Sequence, residues 1–124
     1  MAGATFDLKF NSNYINYSSC NPTSQIGGGS GTVAAIELQP GLLRVDVYYF
    51  DYANAHGGYG ISGSGYLCKL YFTAIAQGTT KLEFVKGQGN PTGELTLLKW
   101  VAYNPSEIES VCWTNSSNIT VVNN

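Results

Sequence analysis

The residues that could perform acid–base or nucleophilic chemistry are few and scattered. His56 is the only histidine, and it lies in the glycine-rich stretch "NAHGGYG" with no nucleophile motif beside it. A general base must lie within hydrogen-bond reach of the proton that it removes, and a lone loop histidine is more often a surface residue. Glu94, Glu107 and Glu109 could be paired carboxylates, but carboxylates on a turn are usually just solvated. We therefore expect no catalytic residues and a protein that is not an enzyme.

No residues have the spacing of a metal site or a redox motif. Cys20, Cys68 and Cys112 lie too far apart in the chain for a zinc knuckle or a CxxC motif. Asp51 and Asn54 supply too few oxygen ligands for calcium. We expect no metal and no cofactor. The cysteines are either small buried residues or, in an oxidising compartment, include one disulfide, for which Cys20 with Cys112 is the preferred pair.

The composition favours an exported protein that binds no nucleic acid and does not insert into a membrane. Charged residues make up only 11% of the 124 residues, against roughly 25% in an average soluble protein, so Asn, Ser, Thr, Gly and Tyr must supply the polar surface. Three glycosylation sequons also suit an extracellular or cell-surface location; they start at Asn16, Asn115 and Asn118. The net charge of −2 with scattered basic residues gives no phosphate-binding patch, and no apolar run is long enough for a membrane helix. The chain also lacks the apolar core of a signal peptide.

Alternating apolar residues predict an all-β fold. In "ATFDLKF", Phe6, Leu8 and Phe10 alternate with polar residues, as in a half-buried strand. Turn signals such as "QPG" and "AQGTT" separate similar segments. We therefore predict one domain over residues 1–124 that folds as an antiparallel β-sandwich. Its predicted strands cover residues 4–10, 14–18, 32–39, 42–50, 65–74, 79–86, 94–103, 108–113 and 117–122.

Four stretches, taken in order, resemble the cohesin family, the receptor modules of cellulosomal scaffoldins and related cell-surface proteins. They are "FDLKFNSNYI", "GLLRVDVYYFDYANA", "GSGYLCKLYFTAIAQGTTKLEF" and "SNITVVN". The resemblance implies a nine-stranded jelly-roll sandwich that binds a dockerin partner through one sheet face.

The alternation within two strands predicts which side chains face the core and which face outward. In 65–74, one face carries Tyr66, Cys68, Leu70, Phe72 and Ala74 and the other carries Leu67, Lys69, Tyr71 and Thr73. In 42–50, Leu43, Val45, Val47 and Tyr49 are predicted to face inward. The predicted partner-binding surface is the outward set Arg44, Asp46, Tyr48 and Phe50, beside Lys69 and Tyr71.

Exposed aromatic residues with a few charges are typical of protein-binding surfaces, and cohesins use the corresponding face. Two other interpretations stay open. Tyrosine is also a good strand former without any partner. Tyr48, Phe50 and Tyr52, which recur at every second residue, could instead stack on sugar rings, as in a carbohydrate-binding module that retains polysaccharide. Tyr59, Trp100 and Trp113 are further candidates for such stacking.

The start of the chain departs from the cohesin pattern. In cohesins, a strand of roughly ten residues precedes in the chain the strand that 4–10 resembles. In the sheet, that earlier strand lies between the matched strand and the closing strand. Its absence predicts a strand-acceptor slot between residues 4–10 and 117–122, lined by Phe6, Leu8, Phe10, Ile119 and Val121. Unpaired strand edges are templates for another strand. The alternative function is therefore a structural subunit of a surface filament or array, in which a sister subunit or another chain donates the strand.

Overall fold

The computed structural model describes residues 3–22, 31–49, 65–85, 95–99, 107–112 and 117–122, and these residues contain nine strands and no helix. No helix among them is long and apolar enough to cross a membrane. The strands, in chain order, are β1 (Gly3–Lys9), β2 (Ile15–Pro22), β3 (Thr32–Gln39), β4 (Leu42–Tyr48), β5 (Cys68–Ala74), β6 (Gly78–Val85), β7 (Leu95–Lys99), β8 (Glu107–Cys112) and β9 (Ser117–Val121).

The strands form two antiparallel sheets of unequal size. Seven strands form the large sheet, in which β3, β4, β1, β6 and β9 follow one another and the β7–β8 pair joins through β1. The small sheet contains only β2 and β5. The predicted all-β sandwich with antiparallel strands is confirmed, and each predicted strand overlaps an observed one because alternation and turn residues mark strands directly in the sequence.

The core lies between the inner faces of the two sheets. Phe6, Leu8 and Phe10 are at most 5% exposed, and the inner residues of β4 and its end, from Leu43 to Tyr49, are fully buried. From the small sheet, Phe72 packs edge-on against Phe10, with ring centroids 5.3 Å apart. The alternation predicted for 42–49 is therefore confirmed.

The faces predicted for 65–74 hold only in the middle of that segment. Cys68, Leu70 and Phe72 pack against the core, as expected. Tyr66 is 65% exposed although it was predicted to face inward, and Leu67 packs against the core although it was predicted to face outward. The strand begins only at Cys68, so period-two alternation does not extend to the two residues before it.

Strand β1 lies inside the large sheet, with both edges paired. One edge pairs with β4 over its whole length. The other edge pairs with β7 from Gly3 to Phe6 and with β6 from Asp7 to Lys9. The predicted position of the strand-acceptor slot is therefore wrong: β6 lies between β1 and β9 and supplies the hydrogen bonds that the slot was expected to leave open.

The β3–β4 hairpin has a two-residue loop, Pro40–Gly41, since Gln39 pairs with Leu42. Gly41 has φ +85°, which a turn with proline first and glycine second requires. The Phe10 amide N–H donates a hydrogen bond to the Gly41 carbonyl oxygen, with 2.9 Å between nitrogen and oxygen. This bond holds the loop against the end of β1. A side chain would not fit, because a Cβ on Gly41 would lie 2.5 Å from the Phe10 carbonyl oxygen.

Replacing Gly41 by Ala is expected to lower the free energy of unfolding by about 1–2 kcal/mol through the left-handed backbone alone, and the contact with Phe10 adds to this loss. Urea denaturation measures the change. The matched control is Gln39→Ala in the same hairpin, an exposed position where we expect a change within about 0.5 kcal/mol. Equal unfolding midpoints for the two variants would contradict this account of the turn.

Candidate functional site

The outer face of the large sheet is a set of cross-strand rows on β1, β4 and β3. The pairing places Asp7 beside Arg44 and Arg44 beside Ile36. The next row joins Thr5, Asp46 and Ala34, and the last joins Gly3, Tyr48 and Thr32. We call these three rows the outer face. Their side chains point away from the core because the alternate residues of the same strands point into it.

Asp7 and Arg44 form a two-pronged ion pair at one end of the outer face. Arg44 Nε donates to Asp7 Oδ1 at 2.9 Å and Nη2 donates to Oδ2 at 3.0 Å. The carboxylate is almost completely buried, whereas the Arg44 side chain is 29% exposed. The hydrogen bond to Asp7 raises the pKa of the Arg44 guanidinium above its already high value. Because a buried carboxylate is costly unless it is paired, Arg44 has a structural role within the sheet.

Exposed apolar and aromatic side chains lie beside this pair. Ile36 is 62% exposed directly across from Arg44, and Leu38 on the same strand is 46% exposed. Tyr48 is half-buried, and burial together with the nearby Asp46 charge raises the pKa of its hydroxyl. The Tyr48 phenol therefore stays protonated at neutral pH and keeps its hydrogen-bond donor.

The structure divides the predicted partner-binding surface between two opposite sides of the sandwich. Arg44, Asp46 and Tyr48 lie on the outer face of the large sheet. Lys69 and Tyr71 lie on β5 in the small sheet, whose inner residues pack against the same core. Outward side chains of two stacked sheets point in opposite directions, so Lys69 and Tyr71 do not extend the face of Arg44, Asp46 and Tyr48. Phe50 lies outside the described residues.

Sequence reasoning missed Ile36 and Leu38. The segment "TVAAIELQ" is apolar in both phases of its alternation: Val33 and Ala35 pack against the core, whereas Ala34 and Ile36 point outward. A register shift between Glu37 and Gln39 accommodates Leu38. The signal in the sequence was a strand with apolar residues on both faces, which indicates that a second surface also avoids water.

A second feature is an apolar groove of about 490 Å³ between the sheets. Residues of β5, including Leu70 and Phe72, line one side. Residues of β1, β6 and β9 line the other, including Leu82, Phe84 and Ile119. Within the described residues, β5 pairs only with β2 and β9 only with β6, so the groove runs between one unpaired edge of each sheet.

The predicted slot residues surround this groove without forming a gap in a sheet. Phe6, Leu8 and Ile119 line the groove. Phe10 is buried in the core, where it contacts Phe72, and Val121 is half-buried against the same core. The slot residues thus share one interior.

The remaining predicted chemical groups do not form a site among the described residues. These residues contain no group of three or more His, Cys, Asp or Glu side chains that could hold a metal ion. Cys20 carries a free thiol, and the side chain of Cys112, its preferred disulfide partner, lies outside the described residues. His56, Asp51, Asn54, Glu94 and the sugar-stacking candidates Tyr52, Tyr59, Trp100 and Trp113 lie outside the described residues.

Comparison with known proteins adds a likeness in fold. No protein-family model and no characterised protein sequence matches the chain. Among solved structures, a cohesin module from a family 33 glycoside hydrolase of Clostridium perfringens ATCC13124 superposes with a TM-score of 0.62 and 12% sequence identity, covering 96% of this chain and 71% of that module. The chain has a cohesin-like fold. At this identity the likeness concerns the fold, and it agrees with the two antiparallel sheets described above.

Replacing Arg44 by Met is expected to lower the free energy of unfolding by about 3 kcal/mol, because the Asp7 carboxylate stays buried without its cation. Chemical denaturation measures the loss. In the Asp7→Asn, Arg44→Met double variant no buried charge is left, so we expect a smaller loss than in the single variant.

The control is Lys81→Met, which removes an exposed charge that lies 4.0 Å from Glu83. Exposed pairs contribute about 1 kcal/mol or less, so this variant should stay close to the wild type. A double variant that is less stable than Arg44→Met alone would contradict the proposed role of the ion pair.

Proposed function

We propose that the protein is a non-catalytic, extracellular or cell-surface interaction module that binds a protein partner through the outer face. The observation that carries the proposal is the pairing of exposed Ile36 with the fixed Asp7–Arg44 ion pair, next to Asp46 and Tyr48. Exposed apolar side chains beside an aromatic residue and a few ordered charges are typical of the centre of protein interfaces.

The geometry favours a partner that lies flat across the sheet. Three cross-strand rows continue from β4 onto the exposed residues of β3, whereas Asp7 of β1 is buried beside Arg44. The Asp7–Arg44 pair does not need to be ordered on binding, which lowers the entropic cost of association. The cohesin-like fold supports a dockerin-like module as the partner, because cohesins, which the sequence resembles, bind dockerins through the corresponding sheet face.

Substituting Ile36 by Asp or Tyr48 by Ala should weaken binding to a dockerin module that the wild type recognises. We expect at least a tenfold loss for each variant, which corresponds to about 1.4 kcal/mol. Calorimetry against a panel of dockerin modules and soluble polysaccharides measures the affinities. Arg44 is left unchanged because its substitution would destabilise the sheet.

The matched control is Tyr71→Ala, since Tyr71 is 45% exposed on the opposite side of the sandwich. It should bind as the wild type does. Binding confined to polysaccharides would overturn the proposal in favour of a carbohydrate-binding module. Equal losses for Tyr71→Ala and Tyr48→Ala would show that the outer face is not the binding surface.

The apolar groove favours a second candidate function, a structural subunit that accepts a strand from a neighbouring copy. Half-buried Leu82, Phe84 and Ile119 line the groove although they also pack against the core. The edges of β5 and β9 that border it carry main-chain groups that an added strand would pair. A donated strand with apolar residues at alternate positions would satisfy both requirements, and repeated donation would build a filament or array.

Strand donation predicts that the molar mass in solution rises with protein concentration. Light scattering after size-exclusion chromatography measures this mass. Ile119→Lys places a charge in the groove and should give monomers, whereas Asn118→Lys, at an exposed neighbouring position on β9, should assemble like the wild type. Circular dichroism checks that both variants are folded. A wild type that stays monomeric at all concentrations would overturn this candidate and leave the outer-face proposal intact.

A further inference from the structure

Two thiols are diagonal neighbours on the inner face of the small sheet. Ile15 and Tyr17 on β2 face inward, and strict alternation would then turn Cys20 outward. A register shift between Tyr17 and Ser19 changes the phase of the strand. Cys20 is therefore half-buried opposite Leu70, a residue that packs against the core.

Cys68 is a diagonal neighbour of Cys20 on the same face. It pairs with Pro22, two residues beyond Cys20, and it is two residues before Leu70 on β5. Cys68 thus lies two residues before Leu70, the partner of Cys20, and Cys20 lies two residues before Pro22, the partner of Cys68. Diagonal Cα atoms in a sheet are about 7–8 Å apart, slightly beyond the span of about 6.8 Å that a disulfide allows.

Two features of the small sheet shorten this distance. Two-stranded ribbons twist more strongly than wide sheets. A right-handed twist shortens the diagonal on which Cys20 and Cys68 lie. Strand β2 also ends at Pro22, which has no amide hydrogen to donate across the sheet. The end of β2 can therefore move toward β5 at little cost in main-chain hydrogen bonds.

The electrostatics of the surrounding groups agree with this placement of the two thiols. Burial, and secondarily the charge of Cys20, raises the pKa of the Cys68 thiol to about 11. Burial and a hydrogen bond to Cys20 raise the pKa of Tyr17 to about 12. Cys20, Cys68 and Tyr17 form one cluster, and both cysteines are free thiols.

We propose that Cys20 and Cys68 are a covalent modification site, at which a small-molecule disulfide such as oxidised glutathione converts the two thiols into a cross-strand disulfide between β2 and β5. The Cys20 thiolate attacks the oxidant, forming a mixed disulfide and releasing one glutathione thiolate. The Cys68 thiolate then attacks the Cys20 sulfur and releases the second glutathione. Two protein thiols are oxidised, one glutathione disulfide is reduced, and two protons leave the protein.

The order of attack follows from burial. The raised pKa of Cys68 leaves little thiolate near neutral pH, so Cys20 reacts first and Cys68 resolves the mixed disulfide. The product would link the two strands of the small sheet covalently. Among the described residues each of these strands pairs only with the other, whereas the large sheet has seven strands. Cys68 also lines the apolar groove, so the disulfide would fix one wall of that groove.

The test is oxidation of the folded protein in a glutathione disulfide buffer, followed by thiol counting and mapping of linked peptides. The wild type should lose two of its three thiols and give a peptide in which Cys20 is linked to Cys68. Cys112→Ser, the matched control, should lose both of its remaining thiols. Cys20→Ser should keep both of its thiols, and since Cys20 is only half-buried, circular dichroism should confirm that this variant is folded.

Stability gives a second readout that does not depend on peptide mapping. Oxidised Cys112→Ser should unfold at a higher urea concentration than the same protein after reduction, since a cross-link restricts the unfolded chain. Oxidised and reduced Cys20→Ser should unfold at the same concentration. A Cys20–Cys112 link, stable glutathione adducts without a cross-link, or Cys112→Ser that keeps both thiols would overturn the proposal.

Discussion

The structure depends on strand β1, which is hydrogen-bonded along both edges and uses both of its faces. Its inner face places Phe6, Leu8 and Phe10 in the core. Its outer face buries Asp7, whose carboxylate requires the guanidinium of Arg44 on the neighbouring strand. Because buried amides, carbonyls and charges must all be satisfied, the register of β1 against β4, β6 and β7 is fixed together with the position of the ion pair.

The unequal sheets explain why the two candidate surfaces have different characters. Among the described residues the small sheet has two strands and the large sheet seven, and inner residues of β6 and β9 such as Leu82, Phe84 and Ile119 are half-buried around the apolar groove beside β5. On the opposite side of the large sheet, the rows through Arg44, Asp46 and Tyr48 are ordered by cross-strand pairing. A face of this kind suits a docked module, whereas the groove with unpaired edges suits an extended strand.

Much of the fold could be predicted from local patterns. Alternation in "LLRVDVYY" identified the inner residues of β4, and turn residues separated the strands, since both signals act over a few neighbouring positions. The predicted binding surface was partly misplaced, because alternation assigns a side chain to one of two faces but does not identify the sheet to which a strand belongs. Lys69 and Tyr71 do face outward from their strand, as predicted, but that strand belongs to the small sheet on the opposite side of the sandwich.

Hydrophobic alternation and turn chemistry are enough to predict the fold class, the approximate strands and the inward residues of β1 and β4. Three features appear only in the folded molecule: β6 lies between β1 and β9, Arg44 is paired with Asp7, and a register shift places Cys20 on the same sheet face as Cys68. Strand order and register depend on contacts between residues far apart in the chain. A single added residue reverses the face on which a side chain lies, and no local pattern reports it.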